Sequence, residues 1–143
     1  MKLGKLGLVC LIIICFTIVS DNGLAASTGI KWHSFKKGLI RGNSTSKKIF
    51  LNFHADWCGY CHVMEKKTFR NRSVINYLNK NFISIKVDFD REKKISSLFR
   101  VKGLPDNWFF SEDGEIIGHR PGYIPPKAFL KILKSFIAGD KKK

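Results

Sequence analysis

Acidic residues are scarce in this 143-residue chain: 11 Asp and Glu stand against 26 Lys and Arg, a formal net charge of +15 at pH 7. Basic doublets recur at Lys36-Lys37, Lys47-Lys48, Lys66-Lys67 and Lys93-Lys94, and the chain ends in Lys141-Lys142-Lys143. An imbalance of this size raises nucleic acid, anionic lipid and acidic proteins as partners. Long apolar runs are also missing. The stretch from Leu6 to Val19 is uncharged, but it is shorter than the roughly 20 residues a membrane-spanning helix needs. Cysteine is sparse, with four in all. No internal repeat is visible.

What surrounds the short apolar stretch gives it a meaning. Lys2 and Lys5 precede it and Gly23-Leu24-Ala25-Ala26 follows, the order of a secretory signal peptide. Residues 1–26 are therefore expected to be a signal peptide, with an uncleaved N-terminal anchor as the alternative. Residues 27–143 are expected to be one domain with its core at about 30–138. The destination implied is the periplasm, across the inner membrane. Export argues against nucleic acid as a partner. A solvated basic surface is the first reading of the charge, and weak attraction to anionic lipid or an acidic partner the second. Loss of Lys2, Lys5 and Asp21 with the leader would take the charge from +15 to +14.

Cys10 and Cys15 fall in the apolar stretch, so the mature chain keeps only Cys58 and Cys61. One pair does not make a disulfide-stapled scaffold. The pair is placed for chemistry instead. Lys48-Ile49-Phe50-Leu51-Asn52-Phe53 reads as a buried strand, and Cys58-Gly59-Tyr60-Cys61 follows its end and opens a helix. A cysteine at a helix N-terminus has its thiolate favoured by the helix dipole and by unpaired backbone N–H groups. A second cysteine one turn later is near enough to close a disulfide.

Along the rest of the chain, Trp32, Phe35, Leu39 and Ile40 stand at helical spacing and predict a short amphipathic first helix. Helices are predicted at about 59–70 with Val63, Met64 and Phe69, at 73–80, and around Ile95, Leu98 and Phe99. Residues 82–88 read as a second central strand. Residues 107–110 and 115–119 read as strands of a hairpin around Glu112-Asp113-Gly114. A last helix opens near Pro125-Pro126. The order is α-β-α-α-β-α-β-β-α, an α/β fold with parallel strands first and an antiparallel hairpin last. Trp32 and Trp108 are assigned to the core.

That order, with Trp57-Cys58-Gly59-Tyr60-Cys61 at the end of the first central strand, resembles the thioredoxin superfamily. Gly103-Leu104-Pro105 stands where the family carries its cis-proline, and Gly122 where a glycine precedes the last helix. Ala55-Asp56-Trp57-Cys58 and Glu65-Lys66-Lys67-Thr68-Phe69 are similar to exported members, including the C-terminal domain of the thiol:disulfide interchange protein. The resemblance implies a thioredoxin fold, a central mixed sheet with helices on both faces. It implies a thiol:disulfide oxidoreductase, with reduction the favoured direction, whose cysteine pair is the redox centre and needs no cofactor. Cys58 would attack and Cys61 resolve the mixed disulfide. Pro105, cis, would turn the backbone of Leu104 outward to pair with a client strand, and Trp57 and Tyr60 would line an apolar rim. Partners would be proteins bearing thiols or disulfides, and a membrane or soluble redox protein that recharges the pair.

The chain departs from the family at Asn52, where thioredoxins keep a buried aspartate that assists proton transfer at the resolving cysteine; Lys86 matches the lysine that accompanies it. Either another group, such as Glu65 or water, then moves the proton, or exchange is slower at that step. Asp106 sets a charge beside the groove where threonine is common. Asp56 and Glu65 disfavour a nearby thiolate, and a protonated His62 favours one.

Other readings compete. Cys58-Gly59-Tyr60-Cys61-His62 satisfies the c-type haem attachment motif, with His62 as axial ligand. It lacks supporting context: Met64 is too close in sequence to be the opposite ligand, leaving only His33, His54 or His119. A closed zinc site needs four ligands, and no second cysteine pair exists to complete one, so no metal is assigned. A non-catalytic binding module with a structural disulfide is the remaining alternative; binding would survive replacement of both cysteines by serine, and thiol exchange would not.

Overall fold

A computed structural model describes residues 28–139. The expected signal peptide lies outside the described residues, as does the terminal lysine run. The elements are β1 (Trp32–His33), α1 (Phe35–Asn43), β2 (Lys48–His54), α2 (Gly59–Lys67), α3 (Arg72–Asn81), β3 (Phe82–Asp88), α4 (Lys93–Leu98), β4 (Asp106–Phe110), β5 (Ile116–Pro121) and α5 (Pro126–Gly139). They form a five-stranded sheet in the order β1-β3-β2-β4-β5. β1, β3 and β2 run parallel, whereas β2–β4 and β4–β5 are antiparallel. The mixed sheet with helices on both faces is the thioredoxin fold that the element order implied.

Alternation along the two central strands divides the core. Phe50 and Phe82 point to one face and pack with Met64, Phe69, Val74, Leu78, Phe129 and Leu133 from α2, the turn after it, α3 and α5. Ile49, Leu51, Phe53, Ile83, Ile85 and Val87 point to the other, against Phe35, Ile95 and Phe99 from α1, α4 and the turn after α4. Both central strands are covered on both sides, which is why they read as near-continuous apolar runs. Asn71 caps α3, its Oδ1 accepting from the Val74 N–H at 3.2 Å. Thr68 donates its hydroxyl to the Ile124 carbonyl at 2.6 Å, fastening the end of α2 to the segment before α5.

Three local expectations need correction. Trp32 lies in β1, paired with Ser84, rather than in the first helix. Helix α1 turns Leu39 and Ile40 outward, Ile40 being 61% exposed, and buries Gly38 and Gly42 instead. A Cβ on Gly38 would overlap the Ile85 side chain, and one on Gly42 would stand 2.7 Å from Ile49 Cδ1. This helix therefore docks by backbone proximity, which a search for apolar stripes misses. In α4, Leu98 is exposed and Ser96 is buried, its hydroxyl bonded to the carbonyls of Phe89 and Glu92.

The sheet's two edges are each interrupted. β1 has two residues, and β5 ends in His119-Arg120-Pro121 after a register shift at Phe109/Phe110.

Candidate active site

β2 delivers its C-terminal end, His54, to the sheet edge where the chain turns into α2. Cys58 is the N-cap of α2, with extended backbone at φ −83° and ψ 102°. Its sulfur accepts the Cys61 N–H at 3.1 Å, and its carbonyl accepts from Cys61 and His62 at 3.1 and 3.2 Å. Cys58 and Cys61 form a disulfide with Cα atoms 5.2 Å apart, and both are buried. Cys58 therefore sits at the positive end of the helix with a backbone donor aimed at its sulfur, the two features that favour its thiolate once the bond opens.

Trp57 and Tyr60 flank the pair and are 67% and 68% exposed. Trp57 is oriented by an indole N–H bond to Asp90 Oδ2 at 2.8 Å and by an edge-to-face contact with Phe89. Large aromatic surface held open to solvent is characteristic of contact sites.

The Leu104–Pro105 bond is cis. Leu104 packs with Phe89 against Ala55, Cys58 and Cys61, so the proline loop abuts the disulfide. The Pro105 carbonyl accepts the Gly122 N–H at 2.7 Å, and Gly122 has φ +87°, a left-handed conformation that suits glycine. Asp106 does not present its charge to this groove. It is 3% exposed, and its carboxylate bonds His119 Nε2 at 2.6 Å and Trp108 Nε1 at 3.1 Å, while His119 stacks on Trp108 with centroids 3.9 Å apart. Trp108 is thus a half-buried member of a polar cluster as well as a core residue.

A cavity of about 160 Å³ lies behind Cys61, lined by residues that include Asn52, His54, Glu65, Lys86 and Pro105. Sheet register brings these together: Asn52 sits between Lys86 on β3 and Asn107 on β4, and His54 pairs with Asp88. Asn52 is fully buried and donates its Nδ2 to Asn107 Oδ1 at 2.9 Å. Asn107 donates in turn to the carbonyls of Arg120 and Gly122 at 2.9 and 3.1 Å. Sequence reasoning missed Asn107, whose only signal was an amide inside an otherwise aromatic strand. Lys86 is committed to Glu65, Nζ to Oε2 at 2.6 Å, and lies 5.2 Å from the Trp32 ring centre. His62 is exposed at the first turn, its Nε2 donating to the Asp56 carbonyl at 2.7 Å. In this state both sulfurs are bonded to each other and the His62 ring is engaged by backbone.

Burial, and after it Lys86, lowers the pKa of His54, with Asp88, Asp56 and Glu65 pulling the other way. His33 is lowered first by burial, then by Arg41 and Lys37. In the unfolded chain histidine protonates near pH ~6.5. Above that, neither state gains a proton and stability is whole. As the pH falls from there through the folded values, the unfolded chain takes up protons first and stability is lost. Urea unfolding is accordingly expected to show a decline between about pH 7 and pH 5 that shrinks when His33 and His54 are both replaced by glutamine. An equal decline in the double variant would refute this.

A C-x-x-C pair at disulfide distance, set against a cis-proline loop at this sheet edge, is the working part of a thioredoxin-fold oxidoreductase. A model of the thioredoxin-like domain family matches residues 35–137, and the chain belongs to that family. It is 33% identical over 91 residues to a thioredoxin of Mycoplasmoides gallisepticum, an alignment covering 64% of this chain and 86% of that one. It is 29% identical over 109 residues to the thiol:disulfide interchange protein DsbD of Pseudoalteromonas atlantica, covering 72% of this chain but 18% of the relative. Among solved structures, a thioredoxin from Thermus thermophilus superposes with a TM-score of 0.70 at 24% identity, over 76% of this chain and 88% of the other. The DsbH oxidoreductase superposes at 0.66 and 19% identity, over 82% and 90%. At these identities the structural likeness concerns the fold.

Proposed function

We propose that this chain is an exported, periplasmic enzyme that reduces disulfides in other proteins by dithiol exchange through Cys58 and Cys61. The observation that carries the reading is the placement of the disulfide: at the N-terminus of α2, against cis-Pro105 and between two exposed aromatic side chains. Cys58 attacks a client disulfide, Cys61 resolves the mixed disulfide, and the client leaves as a dithiol. Trp57 and Tyr60 hold the client's apolar surface, and the main chain of Leu104 pairs with its strand. A redox partner then returns electrons to the pair. Export is supported by the charged, apolar and small-residue order of residues 1–26.

The test is the redox equilibrium of the pair across defined thiol buffers, with both cysteines trapped by alkylation and read by mass spectrometry. A reversible two-electron transition with a midpoint near about −270 mV is expected of a reductase. A midpoint near about −120 mV would make the protein an oxidant, and an unreactive pair would leave the fold as a binding module.

A further inference from the structure

Reduction by this pair has a second step that needs a base. When Cys58 has attacked a client, Cys61 is a thiol, and it must lose its proton before its sulfur can displace the client's. Asn52 supplies no carboxylate here, and its amide is already bonded to Asn107. Glu65 is held by the Lys86 ammonium. His62 gives its Nε2 hydrogen to the Asp56 carbonyl and stands out in solvent. His54 differs from all three. It is the last residue of β2, on the same sheet face as Asn52, half-buried, and it lines the cavity of about 160 Å³ together with Cys61. Among the described residues its ring makes no hydrogen bond.

We propose that His54 accepts the proton of Cys61 during resolution of the mixed disulfide. This rests on the reading of the chain as a dithiol reductase. The proton of the Cys61 Sγ–H passes across the cavity to an imidazole nitrogen. The Cys61 thiolate then attacks Cys58 Sγ; the Cys58–Cys61 bond forms as the bond from Cys58 to the client sulfur breaks. The electron pair leaves on that sulfur, which takes up a proton from solvent, and His54 releases its proton to solvent. The protein dithiol is oxidised and the client disulfide reduced.

The surroundings suit that cycle. Burial and Lys86 keep the resting imidazole neutral and able to accept. Asp56 from the loop before α2, Glu65 from α2 and Asp88 from β3 offset the positive charge it acquires, while Lys86 of β3 opposes that charge and favours return of the proton. His62 of α2 also faces the cavity.

The two steps can be separated with 5,5′-dithiobis(2-nitrobenzoate) added to the reduced full-length chain. The first thionitrobenzoate is released when Cys58 attacks, and the second when Cys61 resolves the adduct. In His54→Gln the second release is expected to slow about 100-fold at pH 7 relative to the first. That deficit should shrink toward pH ~8.5, where thiols ionise unaided. The native chain is expected to show an acid limb of the second release set by an imidazole; in His54→Gln that limb should be replaced by the rise with thiol ionisation near pH ~8.5, and it should persist in Glu65→Gln and His62→Gln. Added imidazole should restore the second release in His54→Ala. An unchanged second release in His54→Gln, a slowing by the same factor at every pH, or loss of the acid limb in Glu65→Gln or His62→Gln alone would overturn the assignment. Absence of the first release from the native chain would overturn the reductase reading itself.

Discussion

Serine at position 58 is expected to abolish the reduction of a protein disulfide such as that of insulin, leaving only the background rate of the buffer thiol. Serine at position 61 is expected to block turnover at a different point. The asymmetry follows from where α2 begins. Cys58 is the N-cap, with the Cys61 N–H directed at its sulfur and the helix dipole behind it, so under the function proposed it is the sulfur expected to act as nucleophile when the bond opens. A hydroxyl there is not ionised at neutral pH and cannot replace it. Cys61 lies one turn in, facing the cavity. Without it the first exchange still proceeds, but nothing displaces the client, and Cys61→Ser should accumulate a covalent protein–client disulfide that dithiothreitol releases. Mass spectrometry of the trapped adduct provides the check. A Cys58→Ser variant with near-native turnover, or adducts carried on Cys61 instead, would remove the assigned roles.

The largest loss of stability is expected from Phe50→Ala, at about 3–5 kcal/mol. Phe50 is fully buried near the middle of β2 and stands at the centre of an aromatic cluster. Its ring lies 5.2 Å from Phe109 in a stacked arrangement, 5.2 Å from Phe129 edge-on, 5.9 Å from Trp32 and 6.0 Å from Phe69. Those neighbours come from four separate parts of the chain: β1, the turn after α2, β4 and α5. Truncation removes the ring's apolar burial and leaves a void whose walls are fixed by other elements and cannot simply collapse. Since domains of this kind are stable by about 5–15 kcal/mol, the variant gives up a large share of the total. Urea unfolding should show a much lower midpoint with an unchanged slope, and Phe50→Leu should recover part of the loss. A change below about 1 kcal/mol would mean that the cluster is looser than its geometry implies.

Much of this architecture was legible because two signals coincide at one place. The apolar run 48–53 and the C-x-x-C spacing that follows it define a strand, a turn and a helix N-terminus, and the observed β2 and α2 begin where that reading put them. β3 was equally legible, since a strand covered on both faces is apolar along most of its length. What was not legible depends on partners remote in sequence. The inward glycines of α1 mean nothing until Ile85 and Ile49 are known to lie against them. Asn107 matters only because β4 pairs antiparallel with β2 and sets it opposite Asn52. The burial of Asp106 likewise needs His119, thirteen residues away on β5. Trp32 was misplaced because two residues of strand carry no periodicity of their own.

The blunt edges of the sheet have a further consequence, for solubility. Under the function proposed, this protein offers main-chain groups to partly unfolded clients, and an open strand that binds others could also bind copies of itself. β1 is too short to template a new strand, and β5 presents His119 and Arg120, closes with Pro121 and follows a break in register. Charge, proline and bulges are the usual means by which sheet edges resist self-pairing. Recruitment of foreign strands is thereby left to the short segment at Leu104, where each contact is made beside a sulfur that can end it, and polymerisation through the sheet is disfavoured even where clients are abundant.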